Sequence, residues 1–249
     1  MKRGSMRHLV DISLVSMILV GIWQLSSWAV GDATLPSPWH AVAHLAHLLS
    51  QPRFLRDINA TAYAYAISLG LAMAGGLILG LLCGGARAIG EFVEPALHVL
   101  IATPKVMLYP IILLLFGLGD AAKIVFGLLH GLPPVVIIVA NALRTLRPIY
   151  RKTARIMQLS PTQYALYVMA PAVLPEIATG FRVCFALTLL GVLVGEMFAA
   201  SRGLGHLLMA SIGTNDQPTI MAVTLLLFVF AGVGSSALLA LGQSRKLSR

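Results

Sequence analysis

The chain has 249 residues, 58% of them hydrophobic and 11% charged, and its mean hydropathy is +0.87. A soluble domain carries about 25% charged residues to coat its surface, so this composition excludes one and points to an integral membrane protein. The excess of 18 Lys and Arg over nine Asp and Glu gives a net charge of +9. In a membrane protein this reads as cytoplasmic loops and anionic lipid, not as a nucleic-acid surface.

A basic start, residues 1–8, precedes the first apolar run, 9–30. That run is longer than the hydrophobic part of a signal peptide and contains Asp11, Trp23 and Trp28, so it reads as a retained helix. A polar, proline-containing stretch follows, with a short helix predicted at 40–49. The second run is 58–83. The third, 92–117, is interrupted by Pro104 and Pro110, and the fourth, 121–143, contains Pro133 and Pro134. After a basic segment at 144–176 come a fifth run, 177–200, and a sixth, 218–241. A span needs about 20 apolar residues, so the reading is an all-α membrane protein with six transmembrane helices. Residues 1–8 form a cytoplasmic N-terminus, and 9–249 form a single transmembrane domain.

Loop charges set the orientation. With the N-terminus inside, the inner segments hold Lys2, Arg3, Arg7, Arg87, Arg144, Arg147, Arg151, Lys152, Arg155, Arg245, Lys246 and Arg249. The outer segments hold Arg53, Arg56, Lys123 and Arg202, while Lys105 and Arg182 fall in or at the edge of a span. Twelve against four is a positive-inside bias, which puts both termini in the cytoplasm.

The inner loop at 144–176 is long for a connection. It splits into a basic amphipathic stretch, 148–159, and a second helix opened by Ser160 as N-cap with Pro161 at the first helical position. Pro171 and Pro175 are expected to close that helix before the fifth span. Such a loop either lies on anionic lipid or docks a soluble partner.

Chemistry-bearing motifs are scarce. Cys83 and Cys184 lie in apolar runs without Cys-x-x-Cys or Cys/His spacing, so neither a disulfide framework nor a metal site is expected. No HExxH or serine-nucleophile pattern occurs, which leaves no catalytic residues. Lys105 and Glu196 are the charges inside spans. Each reads either as a translocation-pathway residue or as a packing residue, with Glu94 a possible partner for Lys105. His130 reads as a packing hydrogen-bond donor. Gly76, Gly80 and Gly84, in register with Ala72, make a small-residue face for close helix approach.

Four sets of residues then carry a resemblance. They are Leu35-Pro36-Ser37-Pro38; Thr103-Pro104-Lys105-Val106 with Tyr109-Pro110 and Phe116-Gly117-Leu118-Gly119; Pro171-Ala172-Val173-Leu174-Pro175 with Gly180-Phe181-Arg182 and Gly195-Glu196-Met197; and Gly203-Leu204-Gly205. In this order and spacing the chain resembles the transmembrane permease subunits of bacterial ABC importers of the nitrate, sulfonate and taurine type, over about 35–241. The resemblance implies a type I ABC importer permease fold and a homodimer enclosing the pathway. It also implies two ABC ATPase subunits inside and a solute-binding protein outside.

In that family a coupling loop carries the motif Glu-Ala-Ala-x3-Gly-x9-Ile-x-Leu-Pro. Here it falls on Lys152, Thr153, Ala154, Gln158, Val168, Ala170 and Pro171. Ala154 and Pro171 match, Lys152 reverses a charge, and Gln158 replaces the glycine. The implied ATPase-coupling residues are Ala154, Met157, Gln158, Leu159, Ser160, Tyr164 and Pro171. The chain has no GxxxxGK[ST] phosphate loop, so ATP is expected on the partner subunit and no cofactor on this chain. The implied solute is a small anion or organic molecule. A self-sufficient secondary transporter or channel stands as the alternative.

Overall fold

A computed structural model describes residues 2–244, with side chains from 14 to 238 apart from Arg151 and Ala199. Met1, Arg245, Lys246 and Arg249 lie outside the described residues, as do the side chains of His8, Asp11 and Arg151. Among the described residues the chain is helical, without strands. The helices are α1 (Lys2–Val30), α2 (Pro38–Leu49), α3 (Pro52–Gly85), α4 (Arg87–Ala102), α5 (Tyr109–Phe116) and α6 (Asp120–Arg144). They continue with α7 (Pro148–Ile156), α8 (Pro161–Gln163), α9 (Ala170–Ala199), α10 (Leu204–Gly213) and α11 (Gln217–Ser244).

Four of these helical segments are long and apolar enough to cross a membrane: Pro52–Gly85, Asp120–Arg144, Pro161–Phe198 and Gln217–Leu238. A fifth span exists if α4 and Lys105–Phe116 are counted together, although they bend by 103° at their junction. The apolar stretch Leu14–Val30 of α1 is shorter. The sequence reading of six spans thus rests on this bent pair and on α1.

The fold contains two compact units, Met1–Arg56 with Leu207–Phe230 and Asp57–His206 with Ala231–Arg249. In the first, α2 starts at Ser37, whose hydroxyl accepts from the His40 N–H, with Pro38 at the first helical position; both choices satisfy or avoid an orphan donor. Ahead of it, the Trp23 indole donates to the Pro36 carbonyl at 3.0 Å.

The second unit is built around α6. Its partner α3 runs parallel to it and presents the predicted small-residue face. A Cβ on Gly76 or Gly80 would collide with Val135 or Val139, and one on Gly84 with the Ala140 carbonyl and Leu143. The stripe therefore serves packing inside the chain, where small residues let helices approach without a hydrophobic driving force. On its other side α6 meets α9 antiparallel: Gly131 lies against Thr188 and Cys184, Gly127 against Val192, and Gly195 against Lys123. Val135, Val139, Ala72 and Cys184 form one buried cluster of this core.

Pro133 and Pro134 lie inside α6, which is continuous from Asp120 to Arg144; close packing by neighbouring helices tolerates the lost donors. One proline expectation is corrected: Pro171 and Pro175 do not end the cytoplasmic helix. The chain stays helical from Pro161 to Ala199, passing through a π-helical segment, Tyr164–Met169, just before Pro171. A π-turn shifts bonding from i−4 to i−5 and so absorbs a proline's missing N–H without ending the helix.

Candidate functional site

The 144–176 loop is rigidly built. At the end of α7, the Leu159 N–H bonds the Ala154 carbonyl at 3.0 Å and the Gln158 N–H bonds the Arg155 carbonyl at 3.1 Å. This is a Schellman closure, which needs a left-handed residue at its corner. Gln158 takes that place with φ +50°. Immediately afterwards Ser160 and Gln163 form a reciprocal capping box: Gln163 N–H to Ser160 Oγ at 3.2 Å, and Ser160 N–H to Gln163 Oε1 at 2.9 Å. Two interlocking caps within six residues fix the angle between the helices.

The predicted coupling residues divide in this geometry. Met157 is 64% exposed, and beside it Ile156 is 82% exposed, although the sequence reading passed over Ile156. Gln158 and Ser160 are exposed, but their main work is the corner and the cap; Leu159, Tyr164 and Pro171 are half-buried. Ala154 is only 6% exposed, so its side chain packs inward and offers a partner nothing. The tip of the loop is therefore an apolar pair between Arg155 and the cap.

Arg144, at the end of α6, was counted among the loop charges but acts as a tie. Its guanidinium bonds the Glu94 carboxylate at 2.7 Å and the Cys83 carbonyl at 2.8 Å, joining α4, α3 and α6. Glu94 is thus the partner of Arg144, and the proposed Lys105–Glu94 pair does not form. Lys105 opens a single 3-10 turn, Lys105–Leu108, after Pro104, at the sharp bend that follows α4, and is half-buried.

At the opposite end of this bundle lies a polar knot. Glu196 is 0% exposed. Its carboxylate accepts from the Thr61 hydroxyl at 2.8 Å and the Gly205 N–H at 3.0 Å, and lies 3.5 Å from Lys123 Nζ. Lys123, placed in an outer loop by the sequence reading, sits in the first turn of α6 at 2% exposure and also pairs with Asp120 at 2.8 Å. The apolar run masked it because a lysine one turn inside a helix end still looks like a flanking charge. Asp57 accepts the Gly203 N–H at 3.0 Å and Thr61 accepts the Leu204 N–H at 2.8 Å. Three side chains thus hold three successive amides of the Gly203-Leu204-Gly205 turn. Glu196 thus has all of these partners within the chain. Nearby, the Tyr109 hydroxyl donates to the Gly195 carbonyl at 2.5 Å, with its ring against Phe126. His130 uses Nδ1 on the Phe126 carbonyl at 2.9 Å, a packing role.

The family model for the binding-protein-dependent transport system inner membrane component covers residues 76–245. The chain belongs to that family. Among relatives of this permease is the nitrate import permease protein NrtB of Synechococcus elongatus, 25% identical over 88% of this chain and 82% of that protein. Another is the formylaminopyrimidine transport permease protein ThiX of Halalkalibacterium halodurans, 27% identical over 92% of each. In fold, the permease is similar to a chain of the MetNI methionine ABC transporter solved in inward-facing form, with a TM-score of 0.67 and 18% identity over 77% of this chain and 95% of that one. The chain is therefore a membrane permease component of an ABC importer, with the all-α fold of that class.

Proposed function

We propose that this permease forms the pathway for a small anionic or organic solute, handed over by a binding protein and driven by ATPase subunits docked on the 144–176 loop. The relatives' names, nitrate for one and formylaminopyrimidine for another, support a solute of that size and mixed chemistry. One observation carries the coupling reading. The exposed Ile156-Met157 pair stands on a loop fixed by two caps. Apolar groups on a rigid lever suit a partner's groove, because a lever transmits a rigid-body movement only if it does not flex. Two ATPase subunits and two permease copies complete the importer in this reading. ATP binds and is hydrolysed on the ATPases, and this chain supplies no catalytic group. The whole chain acts as one inner-membrane permease domain with both termini cytoplasmic. Lys105 remains the pathway residue we favour, since broken helices line cavities in transporters. Glu196 is assigned to packing.

The test is co-reconstitution of the permease with its ATPase subunit and binding protein in liposomes. Changing Ile156→Asp and Met157→Asp together should abolish ATP-driven uptake while the protein still inserts and elutes as a single species. Unchanged uptake would remove the docking assignment. Uptake by the wild-type chain alone, without ATPase, would establish the secondary-transporter alternative instead.

A further inference from the structure

Helix α2 carries His40, His44 and His47 at i, i+4 and i+7, which places three imidazoles along one helix face. They line a cleft of about 390 Å³ together with Asp32 and Pro218.

The three rings are not equivalent. The Asp32 carboxylate is held by the Ser37 N–H at 2.7 Å and by the Ser27 hydroxyl at 3.5 Å. Asp32 binds His40 at Nδ1. A carboxylate only accepts, so Nδ1 carries a proton and Nε2 is the ring nitrogen left to face an ion. This is the second-shell arrangement that orients a metal-binding imidazole and raises its basicity. One turn on, the His44 Nε2 is paired with the Thr219 hydroxyl at 3.0 Å, which fixes that ring and leaves Nδ1 without a hydrogen-bond partner among the described residues. The His47 ring lies 6.3 Å from that of His44.

We propose that His40 and His44, with Asp32 behind His40, form a binding site for a divalent transition-metal ion. Residues i and i+4 are about 6 Å apart along a helix and so reach one ion, whereas i and i+7, about 10.5 Å apart, do not. Accordingly no three His, Cys, Asp or Glu groups among the described residues converge on one point. The site is a two-imidazole pair with water in the remaining positions. Imidazole donors select Zn²⁺, Ni²⁺ or Cu²⁺ and disfavour Mg²⁺ and Ca²⁺, which need oxygen ligands. The titratable groups facing the pair are Asp32 and His47; the 217–219 side contributes Pro218 and the Thr219 hydroxyl.

The experiment is calorimetric titration of ZnCl₂ into the full-length, tag-free chain in detergent. One ion per chain is expected, with no response to MgCl₂. His40→Ala and His44→Ala should each weaken binding at least about tenfold, as should Asp32→Asn, which removes only the outer-sphere partner. His44→Gln controls for folding, because it keeps a hydrogen-bonding group for Thr219. His47→Ala and the exposed His98→Ala should bind as wild type. Absence of zinc binding in the wild type, or its survival in the His40→Ala/His44→Ala double variant, overturns the site. Loss in His47→Ala with retention in His40→Ala overturns the assigned pair.

Discussion

A carboxylate and an ammonium buried together within a membrane protein are stable only if the remaining lone pairs and protons find partners. Glu196 meets that condition through Thr61, Gly205 and Lys123. Gly203 has φ +122°, and a Cβ there would run into the Glu196 carboxylate, so the glycine is required both by its backbone and by the space. Removing the carboxylate with Glu196→Ala leaves the Thr61 hydroxyl and the Gly205 amide short of an acceptor and Lys123 with Asp120 alone, and should cost about 1–3 kcal/mol for each orphaned group. Glu196→Gln keeps an acceptor oxygen and should cost less. Thermal unfolding of the purified chain reads both, and a Glu196→Ala chain as stable as wild type would show that the knot does not hold the turn. In the sequence, Gly195-Glu196 and Gly203-Leu204-Gly205 were visible as separate motifs. Their joining was not, because hydrogen bonds between residues 135 and 143 positions apart leave no periodicity to read. Lys123 was misread for a related reason: its neighbours in sequence say loop edge, and only α9 packing over it says core.

At the scale of elements, the cytoplasmic corner shows how local chemistry is legible when it is short-range. Ser160 followed by Pro161 announces a helix start, and the helix starts there; the structure adds a capping box with Gln163. The left-handed corner was legible only as an anomaly, the place where the family's glycine is replaced by Gln158. At φ +50° a residue with a Cβ costs about 1–2 kcal/mol that glycine avoids. Gln158→Gly should therefore stabilise the corner by about 1 kcal/mol, less whatever glycine's extra chain entropy takes back in the unfolded state. The expected readout is slower amide exchange at Leu159 and Gln158, whose N–H groups close the motif, with unchanged exchange in α6. Faster exchange would mean that the glutamine side chain supports the corner in another way. The prolines at 171 and 175 were misjudged because the rule that proline ends a helix assumes i−4 bonding. The π-helical segment Tyr164–Met169 changes that bonding before the proline arrives, and composition does not announce it.

For the whole molecule, hydropathy alone placed the apolar segments, since α3, α6, α9 and α11 fall on the predicted runs. The bend of 103° after α4 was foreshadowed only by Pro104. Which side each end faces rests on charge, and the structure sharpens that count. With Lys123 buried in its knot, the outer segments keep Arg53, Arg56 and Arg202 against twelve inner positions. A translocating segment pays for each exposed basic residue, so this asymmetry predicts the insertion direction proposed above. Thr162 and Ser201 are both exposed and flank α9 (Ala170–Ala199), a helix about 45 Å long, enough to separate them by a bilayer. In a chain carrying Cys83→Ser and Cys184→Ser, a single cysteine at Ser201→Cys should react with a membrane-impermeant maleimide in intact cells. One at Thr162→Cys should react only after permeabilisation. Because the two positions bracket one helical run, the contrast between them reports orientation without reference to the rest of the chain. The reverse pattern would place the Ile156-Met157 tip outside the cell, beyond the reach of any ATPase. The coupling assignment and the orientation therefore stand or fall together.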